Sequence, residues 1–190
     1  MHDNYVEDQD FKAQEYSMQP LTKGEYENCS FSNCNFSASD LSEINFVDCT
    51  FENCDFSTAK ILNTAFRDVK FKACKMLGLH FHTCNHFLLA ISFEDCQLNH
   101  ASFYQLKLAK TNFWKCRLHE VDFAEADLRS SVFEQCDLLG AAFENTNLEK
   151  AKLSTAYNYR LDPEKNRIKK AKFSQQGLAG LLQKYEIIVE

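Results

Sequence analysis

The stretch Cys29–Phe56 reads CSFSNCNFSASDLSEINFVDCTFENCDF, and its large apolar residues fall five apart, at Phe31, Phe36, Leu41, Phe46, Phe51 and Phe56. A helix repeats its apolar face every 3.6 residues and a strand every 2, so neither produces this beat. Working outward, the same spacing starts at Leu21 and Tyr26 and continues through Ile61, Phe66, Phe71 and Met76 to Phe81. It resumes at Leu88 and holds to Leu153, placing 27 large apolar residues in register. A short fixed period marks stacked units that cannot bury their apolar side chains alone.

The position two residues before the large one is usually small: Cys29, Cys34, Ser39, Cys49 and Cys54, and later Ala126, Ser131, Cys136 and Ala141. The residue just before the large one is often Asn or Asp, as in Asn35, Asp40, Asp55, Asp122, Asp127 and Asp137. The block Ala126-Asp127-Leu128-Arg129-Ser130 shows the pattern whole. It resembles the pentapeptide-repeat family, whose motif is A(D/N)LXX, over residues 21–155, and Val6, Phe11 and Tyr16 extend the spacing toward the N-terminus. The resemblance implies an all-β solenoid: a right-handed quadrilateral β-helix with one pentapeptide per side and 20 residues per coil.

The chain carries its own check on that coil length. Cys34, Cys54 and Cys74 lie 20 apart, as do Cys96, Cys116 and Cys136. The two triplets are offset by 22, and Phe81 to Leu88 spans seven residues rather than five. A single two-residue insertion within Asn85-His86-Phe87 reconciles both halves. The six cysteines then form one column, and Phe31, Phe51, Phe71, Phe93, Phe113, Phe133 and Leu153 form another. Nearly seven coils at the usual strand spacing of about 4.8 Å predict a tube roughly 33 Å long.

Three segments follow: a lead-in over 1–20, the repeat over 21–155, and a C-terminal cap over 156–190. In the last, Asp162-Pro163 marks a turn and Ser174 is a suitable helix N-cap. Leu178, Leu181, Leu182 and Tyr185 form an amphipathic stripe, which Gly177 and Gly180 weaken. Ile187-Ile188-Val189 reads as a short strand. An open tube end exposes rings and unpaired backbone that need a cover. The tail resembles, in its arrangement and its LDPEKNRI run, those of the Qnr and microcin-immunity branch of the family. That resemblance implies a homodimer through the C-terminus, with Leu178, Leu181, Leu182, Tyr185, Ile187 and Ile188 as its candidate contacts.

The nine cysteines suit the small inward position, where Ala and Ser also stand, better than a disulfide or zinc framework. Buried Cys is a small hydrophobe, and free thiols fit a reducing compartment. Around the insertion, His80, His82, Cys84 and His86 alternate between outside and inside, so they do not converge on a metal. No cofactor motif and no hydrolase or phosphate-binding motif is present, and an enzyme is not expected. No apolar run reaches the ~18 residues that span a bilayer, and the acidic start lacks the regions of a signal peptide. A cytoplasmic protein without membrane contact is expected.

The net charge is −6. Sorted by side of the tube, the side of Leu21, Leu41, Ile61, Phe81, Phe103, Phe123 and Phe143 holds five acids, Asp40, Glu43, Asp122, Glu125 and Glu144, against two bases. The Phe31 side is neutral and the other two are near −1 each. This mild acidic bias argues against direct nucleic-acid binding, which needs clustered Lys and Arg. Leu62, Leu77, Leu89, Tyr104 and Trp114 are outward apolar residues of the middle coils and a candidate contact patch. The Qnr-like resemblance implies a non-enzymatic DNA mimic that binds DNA gyrase or topoisomerase IV, and makes the chain an antibiotic-resistance candidate. The chain departs from the Qnr pattern in carrying a two-residue insertion in place of two longer loops. The competing reading is a protein–protein interaction module with another partner, using the apolar patch around Tyr104 and Trp114.

Overall fold

A computed structural model describes residues 4–188. The strands, in chain order, are β1 (Tyr5–Glu7), β2 (Asp10–Lys12), β3 (Glu25–Glu27), β4 (Ser30–Ser32), β5 (Asn45–Val47), β6 (Thr50–Glu52) and β7 (Ala65–Arg67). They continue with β8 (Val69–Lys72), β9 (Ile91–Glu94), β10 (Asn112–Trp114), β11 (Val132–Glu134), β12 (Lys152–Leu153) and β13 (Lys172–Phe173). All pairings are parallel, and the register step is 20 residues, as in Phe31 with Phe51 and Phe113 with Phe133. The chain is therefore the right-handed quadrilateral β-solenoid that the family resemblance implies, with about eight turns.

One side carries a nine-stranded sheet, from β2 to β13, running the length of the tube. A neighbouring side carries a four-stranded sheet, β1-β3-β5-β7, which stops at Arg67. The remaining sides are joined rung to rung by isolated bridges such as Asp40 with Lys60 and Asn35 with Asp55.

The inward columns are apolar and close-packed. Phe31, Phe36, Phe46, Phe51, Phe113 and Phe123 are each 0% exposed. The rings of the long-sheet side stack without a break from Phe11 to Phe133. Phe51 and Phe71 lie 5.3 Å apart, Phe71 and Phe93 lie 5.5 Å apart across the insertion, and Phe113 and Phe133 lie 4.8 Å apart. Stacked pairs of this kind add about 0.5–1.5 kcal/mol each beyond area burial.

The cysteine column is more than filler. The thiols of Cys54, Cys74 and Cys136 donate to the carbonyls of Phe31, Phe51 and Phe113, at 3.4, 3.4 and 3.3 Å. Thr64, Ser131 and Thr146 do the same with hydroxyls, at 2.8, 2.7 and 2.9 Å. Cys, Ser and Thr thus satisfy a coil carbonyl from inside the tube, which Ala cannot do. Burial pushes the Cys49 and Cys84 thiols up to about 12, so both stay protonated at neutral pH. All nine thiols are free.

Nearly all corners are made without glycine; Gly78 and Gly140 are the exceptions among the described residues. Among the described residues φ is positive at 27 non-glycine positions, all but Glu186 of the cap within the coils, and they include Asn28, Asp48, Asp68, Lys110, Glu125 and Lys150. Asn and Asp tolerate this left-handed region best; the Lys, Gln and Glu corners are held in it by the coils above and below.

Three expectations change. The tube is longer than nearly seven coils: β1 and β2 add a rung before Leu21, and β13 adds one after Leu153, for roughly 38 Å at about 4.8 Å per rung. The last coil is legible once Asn166 is seen to fill a small inward position. Its amide donates to the carbonyls of Phe143 and Asp162 (2.9 Å each) and accepts from the Thr146 N–H (2.9 Å). The insertion lies further along than Asn85-His86-Phe87: Ala65 still pairs with Asn85 at a step of 20, while Val69 pairs with Ile91 at a step of 22. Leu88 does not point inward. It has φ 57° and is 64% exposed, while Leu89 packs against the core beside it. Finally, Ile187 and Ile188 are not in a strand, and Val189 lies outside the described residues.

Candidate partner-binding surface

The five carboxylates predicted on one side do share that side, but in two groups. Asp40 and Asp122 stand in one column, linked through Lys60, and through His80 and Ser102. Four rungs separate them, roughly 19 Å at the strand spacing. Glu43 and Glu125 occupy the adjoining corner, with φ 66° and 58°. Glu144 lies one rung beyond Glu125.

These acids are partly neutralised. Lys23 Nζ is 2.8 Å from Glu43 Oε2 and Lys165 Nζ is 3.8 Å from Glu144 Oε1. Ser42 donates its backbone N–H to Asp40 Oδ1 at 3.0 Å, and its hydrogen bonds hold the Asp40 carboxyl below the usual range. Glu125 is organised by neighbours on its own side: the Tyr104 hydroxyl donates to Oε1 at 3.2 Å and the Gln105 amide to Oε2 at 2.8 Å. The His82 ring contacts the Ser102 hydroxyl at 3.1 Å, and that hydroxyl lies 3.4 Å from Asp122. A polar strip of His, Ser, Tyr and Gln therefore leads up to the Asp122 group, and the rung of Lys60 and the exposed Leu62 separates it from Asp40 and Glu43.

The candidate apolar patch does not exist as one surface. Leu62 and Tyr104 are on the acidic side, separated by His82. Trp114 is on the long-sheet side, where Lys115 Nζ sits 4.2 Å from its ring centre. Leu77 and Leu89 take the two remaining sides. Sequence proximity grouped them, but consecutive pentapeptides face directions a quarter-turn apart. Nor do the histidines and Cys84 converge: among the described residues no cluster of three or more His, Cys, Asp or Glu is arranged to hold a metal.

The C-terminal cap is a broken helix over residues 176–185, α-helical at α1 (Ala179–Leu182). Ser174 accepts from the Gly177 N–H at 3.0 Å, as its N-cap role requires. Its glycines are seats for Tyr159. A Cβ on Gly177 would come 1.7 Å from the Tyr159 hydroxyl oxygen, and one on Gly180 would come 2.1 Å from the Tyr159 carbonyl oxygen. The Gly180 carbonyl accepts from the Leu161 N–H at 3.0 Å, and Lys184 bridges Asp162 and Glu164 at 2.7 Å each. Leu181 packs against the core and Leu182 is half-buried. Leu178, Tyr185, Ile187 and Ile188 stay exposed. Leu182 and Ile187 join Leu139 and Tyr159 around a groove of about 650 Å³ at this end. Among the described residues, no helix is long and apolar enough to cross a membrane.

A family model described as the pentapeptide repeat region matches residues 25–103 and 84–153, and the chain belongs to the pentapeptide-repeat family. Among solved structures it is similar to two trypsin-treated variants of QnrB1, a plasmid-mediated fluoroquinolone resistance protein. One is 18% identical, covering 98% of this chain and 100% of that one with a TM-score of 0.63. The other is 19% identical, covering 97% and 99% with a TM-score of 0.65. HetL, a pentapeptide-repeat protein involved in heterocyst differentiation regulation in the cyanobacterium Nostoc sp. strain PCC 7120, is 18% identical over 89% of this chain and 85% of its own, with a TM-score of 0.50. At these identities the likeness concerns the fold. A search of curated proteins finds no match.

Proposed function

We propose that this protein is a non-enzymatic binding rod that acts in the cytoplasm by imitating duplex DNA on a type II topoisomerase, DNA gyrase or topoisomerase IV. The observation that carries the reading is the acidic side: one side of the tube presents Asp40 and Glu43 on one rung and Asp122, Glu125 and Glu144 on two adjacent rungs further along. The likeness of the whole tube to a fluoroquinolone resistance protein supports the rod-like fold that this reading requires. The reading includes pairing of two copies through the exposed Leu178, Tyr185, Ile187 and Ile188, which would lengthen the rod.

The charge is thin for a mimic. Duplex DNA carries one negative charge per ~1.7 Å, whereas five acids are spread along a tube of roughly 38 Å, and two of them already hold lysines. Shape must supply much of the fit, and binding should be weak and fall steeply with salt. The test is gyrase supercoiling at low salt with the parent and with a variant carrying Asp122→Lys, Glu125→Lys and Glu144→Lys. Inhibition by the parent and its loss in the variant, with folding intact, is the expected result. A parent that neither inhibits nor competes with DNA would replace this reading with an interaction module for another partner.

A further inference from the structure

The side of the tube that bears Tyr26, Phe46 and Phe66, and after the insertion Leu108, Leu128 and Leu148, has opposite charges in its two halves. The four rungs before the insertion present Glu7 and Asp8, Glu25 and Glu27, Asp48, and Asp68. Arg67 among them is folded over the Phe87 ring at 5.8 Å, and Lys70 of the neighbouring side lines one groove with Glu7, Asp8, Glu27, Asp48 and Asp68. The four rungs after it present Lys107 and Lys110, Arg129, Lys150, and Lys169 and Lys170, all exposed. Two acids stand among them: Asp127 is held by Arg129 at 2.7 Å, and Glu149 by Arg167 at 2.8 Å. Among the described residues, none of those five lysines has a carboxylate partner within an ion pair. Averaged along its length this side is nearly neutral, which hides the division.

Segregation of this kind opposes folding of a single copy. Glu7 stands in register with Glu27, and like charges directly opposite in a sheet are destabilising. The rung between the halves is the insertion, where Phe87 and Leu88 are 67% and 64% exposed. The order along the side is thus four acidic rungs, an apolar bulge, and four basic rungs.

We propose that this side is a self-association surface on which a second copy of the chain lies antiparallel, about a two-fold axis through the bulge. Turning one copy about that axis sets the rung of Glu7 against that of Lys169. It likewise sets Glu27 against Lys150, Asp48 against the Arg129–Asp127 pair, and Asp68 against Lys107 and Lys110. The two bulges meet at the centre, giving an apolar core with charged flanks on a self-complementary patch, as an isologous dimer requires. A nucleic acid would suit the basic half but be repelled by the acidic half of the same flat side; a second copy satisfies both. The contact differs from the end-to-end pairing through the C-terminal segment and lies on the side next to the acidic one, with Glu43 and Glu125 at the corner between them.

The test is sedimentation of the full chain and two charge-reversed forms, one with Glu7→Lys, Glu25→Lys and Glu27→Lys, the other with Lys107→Glu, Lys150→Glu and Lys169→Glu. The parent should self-associate at about 0.01 M ionic strength and weaken at least tenfold at about 1 M, where the Debye length falls from roughly 30 to 3 Å. Each reversed form should lose this salt-sensitive association, and an equimolar mixture of the two should regain it, an outcome that damaged folding cannot produce. In mixtures of isotope-labelled and unlabelled parent, carbodiimide should couple Glu27 of one copy to Lys150 of another. An end-to-end apolar contact would survive high salt and both reversals. A parent whose association ignores salt, a mixture that fails to associate, or a parent that stays single while its lysines bind duplex DNA would each overturn the proposal.

Discussion

The repeat tube and the C-terminal cap are stabilised in opposite ways. In the tube every rung is held by copies of itself: Phe113 lies between Phe93 and Phe133, at 5.2 and 4.8 Å, and each inward residue finds a similar neighbour above and below. In the cap each contact is made once. One tyrosine, Tyr159, sits against two glycines, and one lysine, Lys184, spans two carboxylates. A failure in the tube therefore spreads to adjoining rungs, whereas a failure in the cap should remain local, exposing the tube end without unwinding it.

The largest expected effect breaks the tube. Phe113→Asp places an unpaired charge in a fully buried stack, at a cost of several kcal/mol. Circular dichroism should show loss of the whole solenoid rather than of one coil. A variant that melts like the parent would remove the inward assignment of the column.

A smaller effect isolates the cap and runs against intrinsic propensity. Alanine is a better helix former than glycine by about 1 kcal/mol, so on propensity alone Gly180→Ala should strengthen the cap. The close approach of the Tyr159 carbonyl predicts the reverse, a loss of about 1–3 kcal/mol of cap docking from overpacking. Hydrogen exchange over residues 174–188 should accelerate while protection in the long sheet is unchanged. Slower exchange in the cap would mean that it does not seat on Tyr159.

The smallest effect concerns pH. Hydrogen bonds from Lys184 hold both the Asp162 and Glu164 carboxyls below their ordinary values of 3.8 and 4.5. Because these folded-state values are depressed, the stabilisation is present above the ordinary carboxylate range. It is lost as pH falls through the depressed values. Cap docking should weaken on acidification below about pH 4, and less so in Lys184→Met. Both carboxylates are exposed, so the change should be slight beside that of Gly180→Ala. Equal acid sensitivity in the parent and Lys184→Met would assign the effect to other groups.

The five-residue beat and the 20-residue spacing of Cys34, Cys54 and Cys74 were enough to determine the solenoid, its inward columns and its two-residue insertion. A buried column has only one solution, a large residue beneath a large residue, so periodicity alone exposes it. The outer surface has no such constraint. Which rungs the acids occupy, that Tyr104 organises Glu125 while Trp114 faces another direction, and that Leu88 yields the inside to Leu89 depend on how rungs stack in three dimensions. The cap lay furthest from the sequence signal. Gly177 and Gly180 look like weak points in a helix until Tyr159, far outside the local pattern, is placed against them. The axial division of charge was also present in the residues, but an average over each side cancelled it. Only the stacked rungs, with the bulge midway between four acidic and four basic levels, gave those charges an order.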